Sequence, residues 1–230
     1  MRGVFVTGTG TEVGKTVVAA AIARTAAGPG RRVAVFKPAV SGLDDRATSS
    51  VPPDHELLRL AARSDQSDDE IAPYRYGPPV SPHLGAELAG EEISPERLLE
   101  AARAAAEGAD FVVCEGVGGL LVPLRHDYLV RDFAADLGLP LVVVAPPALG
   151  TINHTLLTIE AARAVGLEVS AVVLTPWPGE PTAVERSNRG TIQELGGVAV
   201  EALPPLDPTA PASWPALDPA GLCTSLSASA

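Results

Sequence analysis

The sequence predicts an α/β fold, a parallel sheet flanked by helices on both faces. Short, Val-rich apolar runs recur along the 230 residues. They scarcely alternate with polar residues, which is the pattern of strands covered on both faces. Ala-rich segments of helical character separate them. Strands that alternate with helices build a parallel sheet through right-handed crossovers.

The first strand is read at Val4–Val6, entering the Gly/Thr-rich stretch "TGTGTEVGKT" ahead of a helix over Lys15–Ala26. Turn residues "GPGRR" at 28–32 lead to a strand at Val33–Phe36. Residues 42–53, "GLDDRATSSVPP", are polar and end in prolines, so a mobile loop is expected before a helix at Asp54–Ala62. Residues 72–85, "APYRYGPPVSPHLG", read as too rich in proline for regular structure. A helix follows over Pro95–Glu107 and a strand over Phe111–Cys114. The turn "LGLP" at 137–140 opens a strand at Leu141–Ala145. Then come a helix at Asn153–Val165, a strand at Ser170–Leu174 and a helix at Thr182–Leu195. The tail, about 205–230, is rich in Pro, Ala and Ser, and its last residues, "SLSASA", are expected to fray.

The length suits a single domain over 1–230, and a hydrophobic fraction of 46% is ample for its core. No apolar run reaches the roughly 18–20 residues of a membrane span, and no signal peptide is seen at the start. The cysteines Cys114 and Cys223 make no disulfide framework, so a reducing cytoplasm is the expected location. Cys114 lies in an apolar run and reads as a small buried residue. The net charge of −11, from 17 basic and 28 acidic residues, excludes the basic face of a sequence-independent nucleic-acid binder. Nucleotides stay open, because a loop, a lysine and a metal ion can meet their charge locally.

The loop after the first strand carries the chemistry. A strand, a glycine turn and a helix opening at Gly14-Lys15-Thr16 gather backbone N–H groups around one point, where the helix N-terminus adds partial positive charge. Gly14 permits close approach, Lys15 bridges outer phosphates, and the Thr16 hydroxyl reaches Mg2+. The usual spacing is G-x-x-x-x-G-K-[ST]. Here Thr9 stands where the first glycine belongs, and the nearest upstream glycine is Gly8.

Mg2+ needs further oxygen ligands. Glu115 ends a buried strand at its carboxyl end, where such sheets bind ligands, although a solvated strand-end acid is the plainer alternative. Asp54 is a second candidate, and a helix N-cap is at least as good a reading of it. Lys37, after a strand and before a proline, reaches the same edge and could stabilise a transferring phosphoryl group, or be an ordinary surface lysine. The histidines His55, His83, His126 and His154 lack metal-ligand spacing.

Taken together, the segments "VTGTGTEVGKT" (6–16), "KPAVSG" (37–42), "SPH" (81–83), "VCEGVGGLLVPL" (113–124) and "LGTINHTLLTIEA" (149–161) resemble the dethiobiotin synthetase family. The family's loop spacing is G-x5-G-K-T, which Gly8 to Thr16 satisfies, so the loop is one residue longer rather than damaged. The resemblance implies a P-loop NTPase-like sheet of about seven strands and a homodimer with active sites at its interface. It implies phosphate binding by Glu12, Val13, Gly14, Lys15, Thr16 and Val17. Mg2+ is then held by Thr16, Asp54 and Glu115, with Gly116, Val117 and Gly118 beside the nucleotide. Lys37 corresponds to the family's catalytic lysine, acting with Lys15. Thr11 and Ser41 lie beside the substrate, and Gly150 and Asn153 meet its carboxylate end from the partner subunit. The base pocket falls at Thr175 and Pro176, with Leu203, Pro204 and Pro205 as its other wall. Family members commonly carry Asn where this chain has Thr175, which leaves the choice among ATP and other nucleoside triphosphates open.

The implied reaction is the ATP- and Mg2+-dependent carboxylation and ring closure of 7,8-diaminopelargonic acid with CO2 (or bicarbonate) to dethiobiotin. It passes through a carbamate and a carbamic-phosphoric anhydride. The alternative is a partition- or positioning-type P-loop ATPase, a switch, but those usually carry a lysine early in the loop and none precedes Lys15. An amidotransferase-like synthetase would need a further glutaminase domain, and a GTPase would need an N-K-x-D segment that is missing.

Overall fold

The computed structural model describes residues 1–45 and 50–223. Six strands form one sheet in which every pairing is parallel: β1 (Gly3–Gly8), β2 (Val33–Phe36), β3 (Phe111–Glu115), β6 (Leu141–Ala145), β7 (Val169–Leu174) and β8 (Ala199–Ala202). Their order is β2-β3-β1-β6-β7-β8, close to the expected count of about seven. A separate antiparallel pair joins β4 (Pro123–Arg125) to β5 (Tyr128–Leu129).

Helices cover both faces. They are α1 (Lys15–Ala26), α2 (Asp54–Ala62), α3 (Asp68–Ile71), α4 (Pro82–Ala89), α5 (Pro95–Ala106), α6 (Val130–Leu137), α7 (Thr151–Arg163) and α8 (Ala183–Gly196). Alternation along β1 splits the core into two. Val4 and Val6 pack with Val18 and Ile22 of α1 and Leu57 and Leu58 of α2, whereas Phe5 packs with Phe36 and Phe133 on the other face. Ala19 to Ala23 of α1 are fully buried, so small side chains let this helix lie close against the sheet. No helix among the described residues is long and apolar enough to cross a membrane.

Two expectations are corrected. The Pro-rich segment 72–85 is not irregular throughout. Val40 and Arg75 form a parallel bridge, and Pro82 opens α4, where a first-turn proline has no N–H to leave unpaired. The presumed loop at 42–53 is tied where it is described. Gly42, Leu43 and Asp44 N–H donate to the carbonyls of Pro78, Tyr76 and Gly77. The rest of that expectation falls partly on 46–49, and the fraying at 225–230 wholly, outside the described residues.

The segment after β8 returns across α1 and α2. Trp214, 4% exposed, packs into the α1/α2 core with Leu217 and Cys223, and its Nε1 donates to Asp207 O at 2.7 Å. Arg24 of α1 donates to Ala212 O, and the Leu217 N–H donates to the Thr25 hydroxyl. The tail is thus part of the core as far as residue 223. Trp214→Ala is expected to cost about 3 kcal/mol, the low end for a buried aromatic. Denaturation followed by circular dichroism measures it, and an unchanged midpoint would remove the segment from the core.

Candidate active site

Register brings the site together. Val6 of β1 pairs with Glu115 of β3, and Phe36 of β2 pairs with Cys114. The loop leaving β1, the residue leaving β2 and the last residue of β3 therefore emerge side by side at the carboxyl edge of the sheet, where open parallel sheets bind ligands.

The loop is tightly wound. Glu12 and Gly14 both have positive φ, 60° and 96°, and Gly14 caps α1 in the left-handed region. Successive turns of this kind make a concave row of backbone N–H groups suited to an anion. A Cβ on Gly14 would lie 2.7 Å from Thr175 Cγ2, and one on Gly8 would lie 2.6 Å from Val13 Cγ2. Gly14 is required by space and by conformation, Gly8 by space alone.

Two lysines enter from different sides. Lys15 Nζ donates to Gly10 O at 2.7 Å. Burial pulls its pKa down to about 8, with Glu115 opposing and Lys37 adding to the fall. Lys37 Nζ donates to Glu115 Oε1 at 2.7 Å and to Asp54 Oδ2 at 3.0 Å, with Gly116 O at 3.4 Å. Burial alone would lower its pKa, but Asp54 and Glu115 outweigh burial and push it up to about 12. Glu115 is fully buried, and burial raises its pKa against the pull of Lys37. The Thr16 hydroxyl donates to the same Oε1 at 2.9 Å, while Oε2 is buried with no hydrogen-bond partner.

These groups form the floor of a cavity of about 730 Å3. Thr11, Glu12, Gly14, Lys15, Thr16, Val17, Lys37, Ser41, Asp54, Glu115, Val117 and Gly118 all line it. Val13 and Gly116 sit within its segments but are not on its surface. Thr175 is buried behind Gly14, and Leu203 is buried beyond it, its carbonyl accepting from Trp177 N–H. Pro204 and Pro205 are exposed, and the cavity wall carries Pro208 instead. Gly150 and Asn153 are exposed at the start of α7 and lie outside the cavity.

Sequence reasoning missed the apolar wall, which includes Val51, Leu57, Pro79, Val80 and Val122. Pro79 and Val80 belong to the segment read as irregular. A stronger signal went unused: Lys15 and Lys37 are the only two lysines in the chain. In a protein whose other basic residues are all arginine, both lysines stand in one cavity.

A family model described as an AAA domain matches residues 2–213. The chain is 36% identical to an ATP-dependent dethiobiotin synthetase of Bacillus subtilis over 89% of this chain and 87% of that one. It is 44% identical to an Anaeromyxobacter dehalogenans protein of the same name, over 90% and 92%. This chain belongs to the dethiobiotin synthetase family. Among solved structures it is similar in fold to a ParA family ATPase from Chlorobium tepidum (15% identity, TM-score 0.55, 99% and 94% covered). It is likewise similar to a chain of the MinC:MinD cell division complex of Aquifex aeolicus (13%, 0.57, 98% and 93%). At those identities the likeness speaks for the P-loop fold alone.

Lys15 supplies a binding prediction. With a pKa near 8 it is partly neutral at pH 8, and a phosphate beside it favours the ammonium form. A synthetase of this family should therefore take up protons when ATP binds at pH 8. Calorimetry in two buffers of different ionisation enthalpy reads the uptake, and equal heats in both would exclude it.

Proposed function

We propose that this dethiobiotin synthetase carries out the family reaction with the residues gathered on the cavity floor. Membership of the family makes it an ATP-dependent ligase of biotin biosynthesis. The observation that supports the assignment of residues is the Lys37–Glu115–Asp54 cluster beside the glycine loop. We take residues 1–230 as one domain working in the cytoplasm, where buried Cys114 and Cys223 stay as free thiols.

The substrates are ATP, CO2 or bicarbonate, and 7,8-diaminopelargonic acid. Glu12, Val13, Gly14, Lys15, Thr16 and Val17 hold the phosphates, and Gly116 to Gly118 close over them. The base is assigned to the segments after β7 and β8, where Pro176, Pro204 and Pro205 are exposed, Thr175 and Leu203 are buried, and Pro208 lines the cavity. Thr175 offers a hydroxyl there, one donor and two acceptor positions, and no carboxamide for a paired contact. The apolar wall at Val51, Leu57, Pro79 and Val80 suits the aliphatic chain of the diamine, and Thr11 and Ser41 orient its amines.

The site fits Mg2+ as its divalent cation. Thr16, Asp54 and Glu115 are hard oxygen donors, and Glu115 Oε2 is a buried oxygen without a partner, the kind of atom a cation satisfies. Among the described residues no three His, Cys, Asp or Glu are grouped to hold a metal alone. That suits Mg2+, which shares its ligands between one or two carboxylates and substrate phosphates. When bound, the ion neutralises charge on the phosphates.

The first amine takes up CO2 and loses a proton, and the carbamate oxygen attacks the γ-phosphate, displacing ADP, to give the mixed anhydride. Lys15 and Lys37 neutralise the transferring group, each as a positioned positive charge. The second amine then attacks the carbonyl, closes the ring and releases phosphate. Throughout, the cavity must hold the carbamate in line and keep water from the anhydride.

A second copy of the chain would complete this exclusion. A groove of about 470 Å3 lies on the other side of the loop, lined by Gly8 to Thr11, Gly119 to Val122, His154 and Leu157. Thr11 and Val122 line both the groove and the cavity. Leu121, Leu149 and Leu157 are exposed, Leu149 by 91%, so apolar surface borders the site. In a homodimer, Gly150 and Asn153 at the N-terminus of α7 reach the partner's substrate, where a helix N-terminus favours a carboxylate.

Dethiobiotin formation from diamine, bicarbonate, Mg2+ and each of ATP, CTP and GTP tests the reaction and reads the base preference. Phosphate release that ignores the diamine would favour the ATPase switch. Lys37→Ala is expected to lower kcat about a hundredfold or more with little loss of nucleotide affinity. Lys15→Ala is expected to weaken ATP binding in titration. Normal turnover in the first variant would remove Lys37 from the chemistry.

A further inference from the structure

The two lysines are held by different kinds of partner. Lys15 Nζ donates to a neutral carbonyl. Lys37 Nζ lies between two carboxylates, Glu115 Oε1 at 2.7 Å and Asp54 Oδ2 at 3.0 Å, with Gly116 O as a third, longer contact at 3.4 Å. An ammonium group has three N–H donors and no acceptor. All three acceptors around Lys37 are protein atoms, so this arrangement leaves it no donor to offer a phosphoryl oxygen.

The same carboxylates are the ones assigned above to the divalent cation. The third proposed ligand, Thr16 Oγ1, donates to the very oxygen that Lys37 holds. Thr16, Asp54 and Glu115 are therefore organised around an ammonium ion. Lys37 is 3% exposed and Glu115 is fully buried, so water screens the cluster poorly. A divalent ion coordinated to this cradle at about 2.1 Å, through the unpartnered Glu115 Oε2 as well, would stand within a few ångströms of the ammonium held on Oε1, where two cations repel strongly. The flexible four-carbon stem of lysine lets the ammonium swing away, while the carboxylates are fixed at the ends of β3 and α2.

We propose that Lys37 and the divalent cation are mutually exclusive occupants of the Asp54–Glu115 cradle, so that metal loading is the event that frees the Lys37 ammonium for the transferring phosphoryl group. The catalytic charge is then withheld until nucleotide and metal are both in place. Lys37 is a counter-ion first and a participant in the chemistry second. This rests on the metal-ligand reading above.

The chain's lysine content makes the test clean. Protein labelled with 13C,15N-lysine gives two lysine side-chain signals, one from Lys15 and one from Lys37. It is titrated with the β,γ-methylene analogue of ATP in a chelator, and then with Mg2+. The analogue alone is expected to move the Lys15 signal and leave that of Lys37. Mg2+ is then expected to move the Lys37 signal along the metal saturation curve. A Lys37 signal that stays still through Mg2+ saturation overturns the proposal, as does one fully moved by the analogue before metal is added.

A second arm measures Mn2+ affinity by electron paramagnetic resonance, with the same analogue present. Lys37→Met is expected to bind Mn2+ about tenfold more tightly than the parent, because the competing cation is gone. Equal or weaker binding in a folded variant counts against exclusion. Asp54→Asn separates the two levels of argument. If it leaves Mn2+ affinity unchanged, the ligand assignment fails. If it weakens Mn2+ while the Lys37 signal ignores the metal, the assignment stands and the exclusion fails.

Discussion

The site is organised by the burial of one charge. Glu115 closes β3 with no exposed surface, and an ionised carboxylate in that position is costly unless it is paired. Lys37 and the Thr16 hydroxyl do the pairing from two separate strand-to-loop junctions. Removing Lys37 leaves the buried Glu115 without its paired cation, which costs far more than the pair contributes, whereas Lys37 without Glu115 would still have Asp54 at 3.0 Å. The carboxyl edge of β1, β2 and β3 is thus tied together electrostatically where no backbone ladder continues. Lys15 is buried beside a neutral partner, and burial outweighs the pull of Glu115 and lowers its pKa to about 8. One cavity shifts its two lysines in opposite directions, Lys15 down to about 8 and Lys37 up to about 12.

Sheet order turns this local pairing into a site. β1 lies between β3 and β6, and β3 separates it from β2. The loop leaving β1 and the chain leaving β2 therefore flank the end of β3. The pairing of Val6 with Glu115 fixes the acid beside the loop's first turn, and a slip of one residue would turn the Glu115 side chain to the opposite face of the sheet. The loop in turn is backed by Thr175 from the end of β7, so closely that no side chain fits on Gly14. The glycine loop, the Lys37–Glu115–Asp54 cluster and the end of β7 are thus mechanically continuous, although they come from distant parts of the chain.

How much of this the sequence reveals follows from what each element needs. The bounds of α1, β2 and β6 are readable because burial demands nearly unbroken apolar or Ala-rich runs, and those of α2 because prolines precede it and Leu57, Leu58, Ala61 and Ala62 recur on one buried face. β8 is short, contains Glu201 and has only half-buried or exposed neighbours around Val200, so no such run exists to be read. α6 hides because its start, Val130, follows directly on β5 and its cap is Leu129 rather than a polar residue. α4 was obscured by prolines that break helices inside but begin them well. In the site, the loop, Lys37, Asp54 and Glu115 could be named from strand ends and acid placement. The ion pairs between them could not, since Lys37 and Glu115 stand 78 positions apart. Gly150 and Asn153 are the opposite case. Only the family resemblance marks them, because within one chain they are exposed and do not line the cavity.

That separation bears on how the reaction would be protected. The cavity floor is buried, but its rim is open: Thr11 and Val122 line both the cavity and an apolar groove that one chain leaves uncovered. An acyl phosphate survives only where water is kept out, and a rim of exposed leucines excludes water only when something apolar is laid against it. A two-fold dimer does this economically, because one helix can present its N-terminus to the partner's substrate while its flank covers the partner's groove. The α7 sequence has both parts. Gly150 starts it in a left-handed turn with Asn153 in its exposed first turn, and Leu157 lies one turn further on its exposed side. In the proposed dimer, substrate recognition and water exclusion are then one constraint on one helix, and the polar floor set by Glu115 is left to carry the phosphoryl chemistry.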